Sequence, residues 1–211
     1  LKVAAFRLAV ADMDFQVSSY IQEALSGSVA HGIFGYSEAE GSYFEAVAGW
    51  MSRHYGWNVE ETWLVKTPGI VFALAQAVRA FTEPGDAVLL QQPVYYPFSQ
   101  VIRDNGRKIV DNTLVQGEDG RYRIDFADFE EKIRSCKVKL FFLCNPHNPV
   151  GRVWTREELL RLGDICEKYG VIVVSDEIHA DFVFEGSHQV LVGLKESYRK
   201  FVVTCTAPSK T

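Results

Sequence analysis

The stretch "VKLFFLCNPHNPVGRVWTREELLRLGDICEKYGVIVVSDEIH", residues 138–179, decides the fold. Its first segment, "VKLFFLC" (138–144), is apolar at nearly every position, so both of its faces must be covered. After a loop comes a helix over 155–170. Thr155 stands at its start with Glu158 three residues on, and Gly170 stands at its end, the pattern of a capping box and a left-handed stop. Then "VIVVSD" (171–176) repeats the apolar strand. Two doubly covered strands joined through a helix are a βαβ unit of a parallel sheet.

The same rhythm extends outward. "AVLLQ" (87–91), "KIVDN" (108–112) and "KFVVTC" (200–205) read as further strands, and "TWLVK" (62–66) as another. Helices are predicted over 70–82, 97–105 and 125–134, the last capped by Asp125, with a hairpin-like stretch around Gly117 and Gly120. Upstream, Ile21, Leu25 and Val29 recur four apart behind Ser18, a candidate N-cap. Residues 37–56 form a second amphipathic pattern, with Phe44, Val47, Ala48 and Met51 on one face and Gly56 as its stop. The expected class is α/β: three layers, α/β/α, around a mostly parallel sheet. Residues 1–40 read as an N-terminal arm and 41–211 as the large domain.

Composition narrows the function classes. Hydrophobic residues make up 47% of 211, enough for a sizeable core. The formal net charge is −5 with the signs mixed, so no nucleic-acid partner is indicated. No apolar run approaches a membrane span. The cysteines at 136, 144, 166 and 205 lie scattered, without CxxC or paired His/Cys spacing. That argues for reduced thiols in the cytoplasm and against a metal site.

Parallel sheets bind ligands at the carboxyl ends of their strands. The conspicuous polar motifs fall there. "TPG" (67–69) places Gly69 before a helix whose free N–H groups suit a phosphate, or it is a plain connector turn. "NPHNPVG" (145–151) stiffens a loop with two X-Pro steps and holds two asparagines, or it is a turn. Asp176 follows an apolar strand, where a buried charge needs a partner; otherwise it caps the next element. "PVYYPF" (93–98) offers a ring for stacking or for the core. Lys210, in "TAPSKT" (206–211), is a nucleophile candidate if desolvated, or a surface lysine.

Taken together, "VADMDF" (10–15), "HGIFGYS" (31–37), "PVYYPF", "LCNPHNPVGRVW" (143–154), "VVSDEIHADFVF" (173–184) and "TCTAPSKT" (204–211) resemble the fold-type I enzymes that use pyridoxal 5′-phosphate, the class I/II aminotransferase superfamily. Within it they are most similar to the carbon–sulfur lyase branch, the MalY/PatB type of cystathionine β-lyase. The resemblance implies that Lys210 carries the cofactor as a Schiff base and that Asp176 pairs with the pyridine nitrogen. It implies that Asn148 donates to the 3-oxygen and that Tyr95 stacks on the ring. The backbone of Ile70 and Val71 after Gly69, with Ser209, would hold the phosphate. Tyr36 would reach the phosphate of a neighbouring subunit, which makes the family's site that of a homodimer with shared active sites. Backbone near Ala11 would approach the substrate carboxylate. His179 stands where many aminotransferases carry a tyrosine, as it does in the lyase branch.

The expected function is therefore a pyridoxal-phosphate-dependent β-lyase acting on a small amino-acid substrate, an L-cysteine thioether such as cystathionine. The alternatives are an aminotransferase with the same cofactor residues and, from another class, a non-catalytic regulator that keeps the fold. The resemblance further implies more sheet, a C-terminal small domain and two anion-binding arginines beyond residue 211, so that 41–211 is an incomplete cofactor-binding domain.

Overall fold

A computed structural model of the chain describes residues 15–36, 38–39 and 41–210. Its contacts divide between Ala46 and Val47 into an N-terminal and a larger C-terminal unit. The N-terminal unit holds α1 (Ser19–His31), which ends on Gly32 in the left-handed conformation. Ser18 precedes the helix but makes no side-chain cap bond, contrary to expectation. No residue of α1 is buried; Ile21, Leu25 and Val29, its apolar stripe, are all exposed. Helix α2 (Gly41–Tyr55) stops before Gly56, at φ +64°; of the start expected for it, residues 38–39 are not helical and 37 and 40 lie outside the described residues.

In the larger unit five strands form one sheet in the order β2-β1-β5-β6-β7. They are β1 (Ala87–Leu90), β2 (Lys108–Asp111), β5 (Leu140–Cys144), β6 (Ile172–Asp176) and β7 (Val202–Cys205). Every pairing is parallel. A small antiparallel hairpin, β3 (Val115–Gln116) with β4 (Tyr122–Arg123), turns through Gly117 and Gly120.

The alternation of each strand builds two cores. Val88, Leu90, Leu140, Phe142 and Val174 point to one face, under α3 (Ile70–Phe81) and α4 (Pro97–Asp104), which supply Leu74, Val78, Phe98 and Ile102. Leu89, Phe141, Leu143 and Val173 point to the other, under α5 (Phe126–Cys136) and α6 (Arg156–Tyr169), which supply Phe129, Ile133, Leu159 and Leu162. This is the expected three-layer arrangement, and it explains why β1 and β5 are buried at every residue.

In the larger unit two helix caps act as read. Asp125 accepts from the N–H groups of Ala127 and Asp128 at the start of α5. Thr155 and Glu158 form the capping box of α6, and such a cap contributes about 1 kcal/mol. One expected strand is absent. Residues 61–63 form a 3₁₀ turn, and "TWLVK" pairs with nothing among the described residues. A strand is stabilised by its ladder, and Val65 is left 80% exposed.

Candidate functional site

The sheet gathers its polar loops at one edge, because all five strands are parallel and their carboxyl ends align. The ladder continues past the strand ends and fixes those loops. Asn145 N–H donates to the Asp176 carbonyl at 2.9 Å, and Glu177 N–H donates to the Cys205 carbonyl at 2.8 Å. On the other side Asn112 N–H donates to the Leu90 carbonyl at 3.0 Å.

Asp176 ends β6 and is 6% exposed. Its Oδ1 accepts from Ile178 N–H at 3.2 Å. Burial pushes its carboxyl up to about 6, and the neighbouring Glu177 charge adds to this; the Ile178 bond and the Lys210 ammonium pull the other way. Lys210, half-buried, ends a 3₁₀ turn over Pro208–Lys210, beyond β7. His179 is also half-buried, and its imidazole is held below the ordinary histidine range by burial and by the Lys210 charge. Asp176 and His179 thus each feel the Lys210 charge at this edge.

Tyr95 and Asn148 meet across the β1–α4 and β5–α6 loops: Tyr95 N–H donates to the Asn148 carbonyl at 2.9 Å. Tyr95 also packs against the apolar core that Cys144, Val174 and Cys205 complete beneath the edge. Ile70 packs against that same core. Gly69, at φ +127°, precedes α3 in a conformation that a side chain would strain. As first-turn residues of α3, Ile70 and Val71 have N–H groups without intrahelical partners, the N-cap Gly69 supplies no side-chain cap, and a Cβ built at Gly69 would meet nothing within 4 Å among the described residues. Such a helix start accepts a phosphate. Because 62–66 is not a strand, Gly69 owes its place to α3 rather than to a strand end. Ser209 is exposed beside Lys210. Tyr36 lies in the N-terminal unit and is fully exposed. Ala11 lies outside the described residues.

The sequence placed three further residues at this edge but not their partners. Glu177 is buried, accepting from the Ser175 hydroxyl at 2.8 Å, from His188 Nε2 at 2.8 Å and from Leu191 N–H at 3.3 Å. Asn145, fully buried, donates Nδ2 to the Gln189 carbonyl at 3.2 Å. His147, 2% exposed, reaches the Pro93 carbonyl. A glutamate directly after a buried aspartate hinted that a partner was needed, but no spacing points to His188. Among the described residues no cluster of His, Cys, Asp or Glu could hold a metal ion.

The family model for aminotransferase class I and II matches residues 5–211. The chain belongs to that family. Among family relatives, cystathionine β-lyase PatB of Bacillus subtilis is 50% identical over 203 residues, which are 96% of this chain and 52% of PatB. The structure of cystalysin from Treponema denticola, which contains pyridoxal 5′-phosphate, superposes with a TM-score of 0.91 at 38% identity, covering 95% of this chain and 51% of cystalysin. The pyridoxal-phosphate-bound carbon–sulfur lyase of Staphylococcus hominis gives a TM-score of 0.90 at 35% identity, covering 95% and 51%. The chain therefore spans about half the length of the curated relatives it matches. No helix among the described residues is long and apolar enough to cross a membrane.

Proposed function

We propose that the protein is a pyridoxal 5′-phosphate-dependent carbon–sulfur β-lyase that cleaves L-cysteine thioethers, such as cystathionine, to a thiol, pyruvate and ammonia. The observation that carries this reading is the buried Asp176 carboxylate sharing the sheet edge with Lys210. A buried carboxyl pushed up by desolvation is stabilised by a cationic partner, and a pyridinium nitrogen is one. The donor set fits the rest of the cofactor. The uncapped start of α3 and the Ser209 hydroxyl suit the phosphate, Asn148 suits the 3-oxygen, and the Tyr95 ring suits a flat partner.

When bound, the cofactor supplies an aldehyde for the amine and a cationic ring that draws electron density from Cα. Lys210 holds the cofactor and, once released by the substrate amine, takes the Cα proton as general base. Asp176 keeps the proton on the pyridine nitrogen. The Cβ–S bond would then break with sulfur leaving as the thiolate, and the three-carbon enamine, once Lys210 has displaced its nitrogen, would react with water to give pyruvate and ammonia.

His179, three residues after Asp176, supports the lyase branch over an aminotransferase, and PatB and the Staphylococcus hominis protein carry lyase names. The test is pyruvate release from cystathionine without added 2-oxo acid. Turnover only with a 2-oxo acid acceptor makes the protein an aminotransferase, and no turnover with either favours a regulator that keeps the fold.

The working unit in this reading is a cytoplasmic homodimer. The exposed stripe of Ile21, Leu25 and Val29 and the fully exposed Tyr36 suit a second copy, with Tyr36 directed to the partner's phosphate. All four cysteines are free, as a reducing compartment requires.

A further inference from the structure

His147 sits between the two X-Pro steps of the β5–α6 loop, yet its ring is turned down into the protein. Nε2 lies 3.0 Å from the Pro93 carbonyl on the β1–α4 loop. The ring packs edge-on against Trp154, centroids 5.6 Å apart at 84°. Its backbone is fixed as well, with N–H donating to the Arg152 carbonyl at 2.7 Å and carbonyl accepting from Gly151 N–H at 2.8 Å. A proline carbonyl can only accept, so Nε2 carries the proton and the tautomer is set. Burial holds the imidazole down at about 4, against the pull of the Pro93, Gln91 and Cys144 backbones, so the ring is neutral at pH 7.

Two residues beyond Pro93 is Tyr95, and one beyond His147 is Asn148, and these are themselves joined by the Tyr95 N–H to Asn148 carbonyl bond of 2.9 Å. A single histidine therefore closes a small ring between the loops, made of one side-chain bond and one backbone bond. Each loop also has bonds of its own, such as Leu114 N–H to the Gln92 carbonyl at 2.8 Å and Asn148 N–H to Cys144 Sγ at 3.4 Å, but these do not join one loop to the other.

We infer that His147 is a positioning residue, which as a neutral Nε2–H tautomer staples the Tyr95 loop to the Asn148 loop and so sets the stacking ring and the amide at a common spacing for the cofactor. This rests on the reading of Tyr95 and Asn148 as cofactor residues. His147 touches neither cofactor nor substrate in this role. Its contribution passes through the backbone of both loops, and a side chain of the same volume without a donor cannot replace it.

The test compares His147→Phe, which fills the space without a donor, with His147→Gln, which restores an N–H toward Pro93. Two quantities are read: hydrogen exchange of the Tyr95 amide in cofactor-free protein, and the induced circular dichroism and dissociation constant of added pyridoxal 5′-phosphate. The Phe variant should exchange the Tyr95 amide faster and bind the cofactor roughly tenfold more weakly, the scale of a lost buried hydrogen bond with an orphaned carbonyl. Its induced dichroism should fall. The Gln variant should recover most of all three. Wild-type exchange and dichroism in the Phe variant, or a Gln variant no better than Phe, overturn the staple. If the unchanged protein takes up no cofactor, the proposed function and the cofactor half of this inference fail together, while exchange at Tyr95 still decides whether His147 holds the loops.

Discussion

Glu177 and His188 meet at 2.8 Å, Oε2 to Nε2, with both side chains 1% exposed. The pair ties the end of β6, where Asp176 stands, to the chain that returns toward β7. Removing one partner leaves a buried polar group facing a void. His188→Ala should therefore lower stability by about 3 kcal/mol, the scale of a broken buried pair. Glu177→Gln, which keeps an acceptor for Ser175, should lose less. Urea unfolding measures both, and a loss under about 1 kcal/mol for His188→Ala would show that the pair is not what fixes this turn.

Asp176 makes stability depend on pH in an unusual direction. Its folded-state pKa of about 6 lies above the ordinary carboxyl value, so between roughly pH 4 and 6 the folded state binds more protons than the unfolded one. Stability of the cofactor-free protein should fall as pH rises through this window, by a few kcal/mol in order of magnitude. Asp176→Asn should flatten that slope and make the cofactor-free protein more stable at pH 8. Thermal melts from pH 4 to 8 check this; an unchanged slope in the variant assigns it to another group.

The same substitution should harm catalysis. An amide cannot hold the pyridine proton as a carboxylate does, so turnover should drop by about three powers of ten, near ~4 kcal/mol of transition-state stabilisation. The fold should persist, as judged by far-ultraviolet circular dichroism. Near-normal turnover would remove Asp176 from the mechanism.

Lys210 should carry the cofactor covalently. Protein supplied with pyridoxal 5′-phosphate should absorb near ~420 nm, and borohydride reduction followed by peptide mapping should mark Lys210. A mark on Lys195, which pairs with Asp164, or on Lys200 would displace the site from the sheet edge.

Shared active sites predict complementation. Lys210→Ala and Tyr36→Phe proteins, mixed with subunit exchange verified, should yield dimers with one site intact for both residues. Lyase activity should exceed that of either parent. Equal activity before and after mixing would confine each site to one chain.

The sequence by itself determined that strands and helices alternate into a doubly covered parallel sheet and that the polar motifs follow the ends of its strands. Strands such as "LFFLC" (140–144) are apolar on both faces, and only a doubly covered parallel sheet satisfies that. Helix α6 was legible to within a residue because its cap is local, Thr155 to Glu158. Asp176, Asn148, Tyr95 and Lys210 were legible as motif residues beside strand ends. What the sequence left open, only the tertiary structure decided. "TWLVK" has strand propensity, but a strand is completed by a partner, and among the described residues it has none. His188 and Glu177 are 11 positions apart, and His147 meets Pro93 across 54. Periodicity reports only which face a residue takes within its own element, whereas these bonds depend on how separate loops are brought together by the sheet beneath them.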